Sequence, residues 1–286
     1  MGTGGRRRAH QAPRPLAQSR NRRVASRADC GFSFRSPSMN GLAGLRGRVL
    51  VHADESEASL SLERDLTAWL RQRIEQAGVA HLALSGGKGP QSLYRMLATD
   101  TTYTADHWAC THLWMVDERC VPDPDPHLNF AMIRALLLES IRIPANQVHP
   151  MPVLLPDGDH RYESDLRRLL GSTEGGRLDA AVMGMGPDGH TASLFPRTPA
   201  LHERERWVLF NDGETVLPPR PRMTLTFPVL CAARFLAVLI TGAAKHQALL
   251  AAAKTPDDVD DHPIAGLRPS HDGQLVWYLD RTAADG

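Results

Sequence analysis

His190 closes a glycine-rich turn, Gly184-Met185-Gly186-Pro187-Asp188-Gly189-His190, and is the best single candidate for a general base in this chain. Neutral imidazole, with an unperturbed pKa of about 6.5, accepts a proton near neutral pH, and a nearby carboxylate such as Asp188 can tune it. Gly184, Gly186 and Gly189 have no Cβ, so the backbone here can take positive φ and a ligand can approach it closely. Two more polar turns carry candidate chemistry. Asp117-Glu118-Arg119 offers a guanidinium able to fork onto an oxyanion or phosphate, and an aspartate able to orient water or imidazole. Ser85-Gly86-Gly87 leads into a helix whose free amides and positive dipole end suit a phosphate. Each has a plainer reading at this level: a surface ion pair for Asp117 and Arg119, a helix cap and turn for residues 85–90.

These residues need elements to bring them together. Short apolar runs alternate with longer amphipathic ones, the pattern of a parallel sheet covered by helices. The expected fold is α/β: a three-layer, mostly parallel, Rossmann-like sheet with helices on both faces, in a single domain. Strands are expected at 48–53, 81–84, 113–116, 180–183, 235–240 and 275–279. Asp54 and Glu57 have capping-box spacing, and Leu60, Leu66, Leu70 and Ile74 follow at near-helical spacing until Gly78. Pro90 sits where a first helical turn accepts proline, with Leu93 and Leu97 on the buried face. Further helices are expected after the turn at 156–159 and at 244–253. Pro122, Pro124 and Pro126 place that stretch in a loop at the sheet edge. Three expected strands thus end in the turns at residues 85–87, 117–119 and 184–190, and in an open α/β sheet the strand carboxyl ends share one rim.

Composition narrows the classes. The 286 residues are 42% hydrophobic and 23% charged with a net charge of +1, an ordinary globular balance with length for one large α/β domain. Arginine dominates residues 1–46 against one acid, Asp29, so the body is mildly acidic and carries no nucleic-acid footprint. That segment is expected to be a disordered extension preceding a catalytic domain at 47–286; it also has transit-peptide composition, and Met39 offers an alternative start. Cys30, Cys110, Cys120 and Cys231 lack any Cys-x-x-Cys pair, which argues for free thiols in a reducing, cytoplasmic setting and against a zinc site or disulfide framework. No apolar stretch approaches the roughly 20 residues that span a bilayer. The remaining expectations are no metal, no cofactor, no nucleic-acid or membrane partner, and a monomer or small homo-oligomer.

The segment GMGPDGHTASLFP resembles the signature of the 6-phosphogluconolactonases, and four further segments agree in order and spacing: LALSGGKGPQSLYRML, WMVDERCVPDPDPHLNFAMIRALLL, PPRPRMTLTFPVL and ITGAAKHQALL. The likeness covers roughly residues 47–284. It implies metal-free hydrolysis of 6-phospho-D-glucono-1,5-lactone, the second step of the oxidative pentose phosphate pathway, on a sugar-phosphate lactone as the small-molecule partner. By the same resemblance His190, Asp117 and Arg119 are catalytic, and Ser85, Gly86, Gly87, Gly186, Arg222 and Lys245 bind substrate or phosphate. Two departures stand out: Gly89 replaces a threonine, and Leu217 replaces a lysine whose role passes to Arg220 or Arg222. Two other functions stay open, a glucosamine-6-phosphate deaminase or isomerase on the same fold, and a non-catalytic sugar-phosphate sensor. Arg119 and the Thr-Ala-Ser-Leu-Phe-Pro continuation argue against the first; the missing helix-turn-helix pattern argues against the second.

Overall fold

The computed structural model describes residues 1–2, 41–171, 175–212, 221–270 and 272–286; Cys30, Met39, Leu217 and Arg220 lie outside them. The chain runs β1 (Arg48–His52), α1 (Glu55–Ala77), β2 (Ala80–Leu84), α2 (Gln91–Thr99), α3 (Ala105–Trp108), β3 (Thr111–Met115), β4 (Asp117–Arg119) and α4 (Asn129–Ile133). It continues through β5 (Val148–His149), α5 (Gly158–Leu170), β6 (Ala180–Met183), β7 (Val208–Asp212), β8 (Pro221–Leu225) and α6 (Phe227–Ala232). β9 (Phe235–Ile240), α7 (His246–Lys254), β10 (Gln274–Asp280) and α8 (Arg281–Asp285) complete it.

Seven strands form one parallel sheet in the order β1-β10-β9-β6-β2-β3-β5, with helices on both faces. β2, β6 and β9 are buried along their whole length, which explains their continuous apolar composition: a central parallel strand has no face to offer water. The winding reverses between β6 and β2. From β2 the chain builds outward to β3 and β5, and from β6 it builds the other way to β9 and β10, so the loops after β2 and β6 part and leave a crevice.

α1 starts as its spacing implies. Asp54 Oδ1 accepts the Glu57 amide at 2.9 Å and Glu57 Oε2 accepts the Ala53 amide at 3.1 Å, a cap of about 1 kcal/mol. Gly78, at φ 76°, ends it in the left-handed conformation. The buried stripe is Leu62, Leu66 and Leu70, each contributing about 1.5–3 kcal/mol; Leu60, expected on it, is 38% exposed, because Ala58 and Leu62 occupy the inward positions of the first turns. Leu42 is buried and Arg46 pairs with Asp257 at 2.7 Å, so residues 41–46 pack on the body instead of belonging to an extension.

A second element corrects the sequence reading. Residues 117–119 are no turn: they form β4, the edge of a three-stranded antiparallel sheet, β4-β8-β7, with Asp117 opposite Thr224 and Arg119 opposite Arg222. Val116 is the crossing point. Its amide still donates to Leu84 of β2 at 2.9 Å, while its carbonyl accepts the Leu225 amide of β8 at 2.8 Å.

Candidate active site

The carboxyl ends of β2, β3, β6, β9 and β10 surround a cavity of about 520 Å³, a volume suited to a small phosphorylated sugar. Ser85, Gly86 and Gly87 line it from β2, Asp117 and Arg119 from β4, Gly186 and His190 from β6, and Gly242 and Lys245 from the turn after β9. The residues that sequence placed in one site therefore meet, with one exception. Arg222 is buried on β8 directly opposite Arg119 and is not among the residues that line the cavity.

The turn after β6 is built around His190. The Gly186 amide donates to the His190 carbonyl at 2.8 Å, and the Thr191 hydroxyl ties the turn back to the Gly184 carbonyl at 2.9 Å. A Cβ on Gly186 would lie 2.1 Å from His190 Nδ1, so glycine is required for the imidazole to sit where it does. Nδ1 faces Asp188 Oδ1 at 2.5 Å, and the ring edge rests on Phe195, 4.9 Å between centroids. Burial favours the neutral acid at Asp188, yet its bonds to His190 outweigh this and hold the carboxyl below its ordinary range. An ionised Asp188 fixes the proton on Nδ1 and leaves Nε2 as the basic nitrogen.

Asp117 lines the cavity and is also tied into the small sheet. Its Oδ2 accepts the Ser193 hydroxyl at 2.6 Å, while the Ser193 amide donates to Thr224 Oγ1 at 3.1 Å and Asn211 Nδ2 donates to the Ser193 carbonyl at 2.8 Å. The small sheet thus grips the strand-like end of the His190 turn, and the histidine's own carboxylate partner is Asp188. Between them Ala192 takes φ 50°, a left-handed conformation unusual for a residue with a side chain.

Arg119 reaches the cavity with its Nη1 donating to the His127 carbonyl at 2.5 Å. Lys245 is half-buried near Asp188; burial lowers its ammonium pKa and the Asp188 charge opposes that shift. Lys88 lines the same cavity but is exposed to solvent. Asn129, which sequence reasoning passed over, is 2% exposed and donates from Nδ2 to the Asp117 carbonyl at 2.9 Å, its amide pressed against Gly86. Its only sequence signal was its place at the start of the helix after the proline loop. Glu118 was also unassigned; burial pushes its carboxyl up to about 7 although three backbone amides donate to it. Among the described residues no group of three or more His, Cys, Asp or Glu side chains is disposed to hold a metal ion.

Residues 53–277 match the family described as glucosamine-6-phosphate isomerases/6-phosphogluconolactonase. The chain is 38% identical over 246 residues to the human GDH/6PGL endoplasmic bifunctional protein, an alignment that takes in 84% of this chain and 30% of the length of that much longer relative. It is 34% identical over 226 residues to a 6-phosphogluconolactonase of Synechocystis, covering 77% of this chain and 90% of the relative. Among solved structures, the 6-phosphogluconolactonase of Trypanosoma brucei superposes with a TM-score of 0.70 at 26% identity, over 84% of this chain and 98% of that one. The Thermotoga maritima 6-phosphogluconolactonase gives 0.69 at 26% identity, over 82% and 99%.

Proposed function

Because this chain belongs to the glucosamine-6-phosphate isomerase/6-phosphogluconolactonase family, we propose that it hydrolyses 6-phospho-D-glucono-1,5-lactone to 6-phospho-D-gluconate, the lactone-opening step of the oxidative pentose phosphate pathway. The observation that carries this reading is the His190–Asp188 pair, with Nε2 available as a base in the cavity that also holds Arg119 and the Gly86–Gly87 bend. The relatives named above support the lactonase branch of the family over the isomerase branch.

In the proposed reaction, Nε2 of His190 takes a proton from a water molecule as its oxygen bonds to the lactone carbonyl carbon, a contribution of about 10²–10⁴-fold. The carbonyl π electrons move onto oxygen, where Arg119 and loop amides hold the oxyanion. When the carbonyl re-forms, the ring C–O bond breaks and the imidazolium returns its proton to the leaving ring oxygen, so protons and charge balance over the cycle. Gly86 and Gly87 amides and Lys245 hold the phosphate. Asp117 acts by fixing Ser193 and hence the His190 turn.

The test is a lactonase assay on the purified chain with spontaneous hydrolysis subtracted. Acceleration above background is expected, without ammonia release from glucosamine 6-phosphate; ammonia release without lactone hydrolysis would move the chain to the isomerase branch. The proposal places this activity in the cytoplasm, consistent with the thiols of Cys110 and Cys231; fractionation tests it, since relatives carry endoplasmic and chloroplastic names.

A further inference from the structure

The proposed oxyanion role of Arg119 raises a question of aim. A guanidinium on a long, flexible side chain must be held to a fraction of an ångström to act on a developing charge. β4 is only three residues long and hands the chain at once to the proline-rich loop 120–128.

Glu118 answers it. The side chain is 1% exposed, and among the described residues its hydrogen-bond partners are three backbone amides and no cation. Oε1 accepts from Arg119 N at 2.8 Å and Asn129 N at 2.7 Å, and Oε2 accepts from Phe130 N at 2.7 Å. The first amide lies before loop 120–128 and the other two after it, so one carboxylate ties both ends of the loop. Asn129 Nδ2 reinforces the tie by donating to the Asp117 carbonyl. Inside the loop, Asp125 Oδ1 accepts the His127 amide at 2.8 Å and faces its Nδ1 at 2.8 Å, and the His127 carbonyl then receives Arg119 Nη1. The path is closed: Glu118 to loop ends, loop to His127, His127 to Arg119.

We propose that Glu118 is a positioning residue, whose carboxylate closes loop 120–128 so that the His127 carbonyl aims the Arg119 guanidinium into the cavity. Burying an acid this fully is costly, and its two oxygens offset that cost by accepting three amides that no neutral side chain of the same size can satisfy together. The proposal rests on the lactonase reading, because it gives Arg119 something to act on.

The test is a double-mutant cycle on lactone hydrolysis with Glu118→Gln and Arg119→Ala, each variant checked for folding by thermal melting. Glu118→Gln is expected to lower kcat about 10–100-fold with KM within about threefold, since the interaction lost is one made in the transition state. In the Arg119→Ala background it should cost less than about twofold more, because its effect passes through Arg119. Losses that multiply would overturn the proposal and leave Glu118 as scaffold. Should Glu118→Gln not fold, Asp125→Ala, which loosens His127 from the solvent side, takes its place: a kcat loss that disappears without Arg119 supports the path, and a loss that persists or never occurs overturns it. A wild-type chain without lactonase activity would overturn the reading and the proposal together, whereas an active wild type with multiplying losses overturns the proposal alone.

Discussion

The proposed base depends on two atoms, His190 Nδ1 and Asp188 Oδ1. With Asp188 ionised, the imidazole presents one tautomer and needs no reorientation before accepting a proton. Asp188→Asn should therefore lower kcat about 10²–10⁴-fold while the fold and product binding persist, because an amide can stabilise the wrong tautomer and cannot stabilise the imidazolium. His190→Ala should remove a similar factor and leave the dissociation constant for 6-phosphogluconate, measured by calorimetry, within about threefold of wild type. Near wild-type turnover by His190→Ala would end the assignment. Gly186→Ala probes the same geometry from the backbone: a methyl placed 2.1 Å from Nδ1 must displace the ring, so kcat should fall by at least about tenfold while the melting temperature falls by only a few degrees. Residue types at this scale were legible in the sequence because chemistry selects them and short-range turns hold them. Asp117 was legible as important but not as a partner of Ser193, since that bond joins residues 76 apart through a sheet the sequence did not announce.

Elements show a similar division. Strands buried on both faces, β2, β6 and β9, declared themselves as apolar runs, and α1 declared its start and stop through Asp54 and Gly78. The β4-β8-β7 sheet did not, because a three-residue edge strand of Asp, Glu and Arg carries neither period nor β propensity and is held by pairing with residues about a hundred positions away. The inward stripe on α1 begins at Leu62 and not at Leu60: two residues are about 200° around the helix axis, so Leu60 faces solvent where Leu62, Leu66 and Leu70 face the core. α1 also buries Glu63 toward Asp100, and this gives a pH prediction. Burial first, and then the hydrogen bond and charge of Asp100, push the Glu63 carboxyl from 4.5 up to about 7. The folded state thus holds a proton that the unfolded chain releases near pH 4.5, so this stability is present below that value and is lost as pH rises through about 7. Over that window the loss is at most about 3 kcal/mol. Glu63→Gln keeps a donor toward Asp100 without needing a proton. It should melt close to wild type at pH 4 and several degrees above it at pH 8; an equal difference at both values would show that Glu63 does not titrate in this range.

For the molecule as a whole, the consequence is that the loops of many strands line one cavity. The parallel arrangement points five carboxyl ends at one cavity, so lining residues separated by up to 225 positions in sequence, from Glu55 to Asp280, are held in register only by the folded sheet. A ligand that touches several of these loops binds the native state and has no counterpart site in the unfolded chain. Its binding energy then adds directly to folding stability, as RT ln(1 + [L]/Kd), about 2.7 kcal/mol at a hundredfold excess over Kd. For a domain of this size that corresponds to a rise in melting temperature of about 5–10 °C. 6-Phosphogluconate, the proposed product, should produce this shift, and gluconate at the same concentration should produce little, because it lacks the dianion that Lys245 and the Gly86–Gly87 amides are proposed to hold. Lys245→Ala should shrink the shift for the phosphorylated ligand while leaving the unliganded melting temperature within about 2 °C, since among the described residues the Lys245 side chain makes no hydrogen bond or salt bridge. Equal shifts from both sugars, in wild type and variant alike, would mean that the cavity binds polyols and that its cation is not a phosphate ligand.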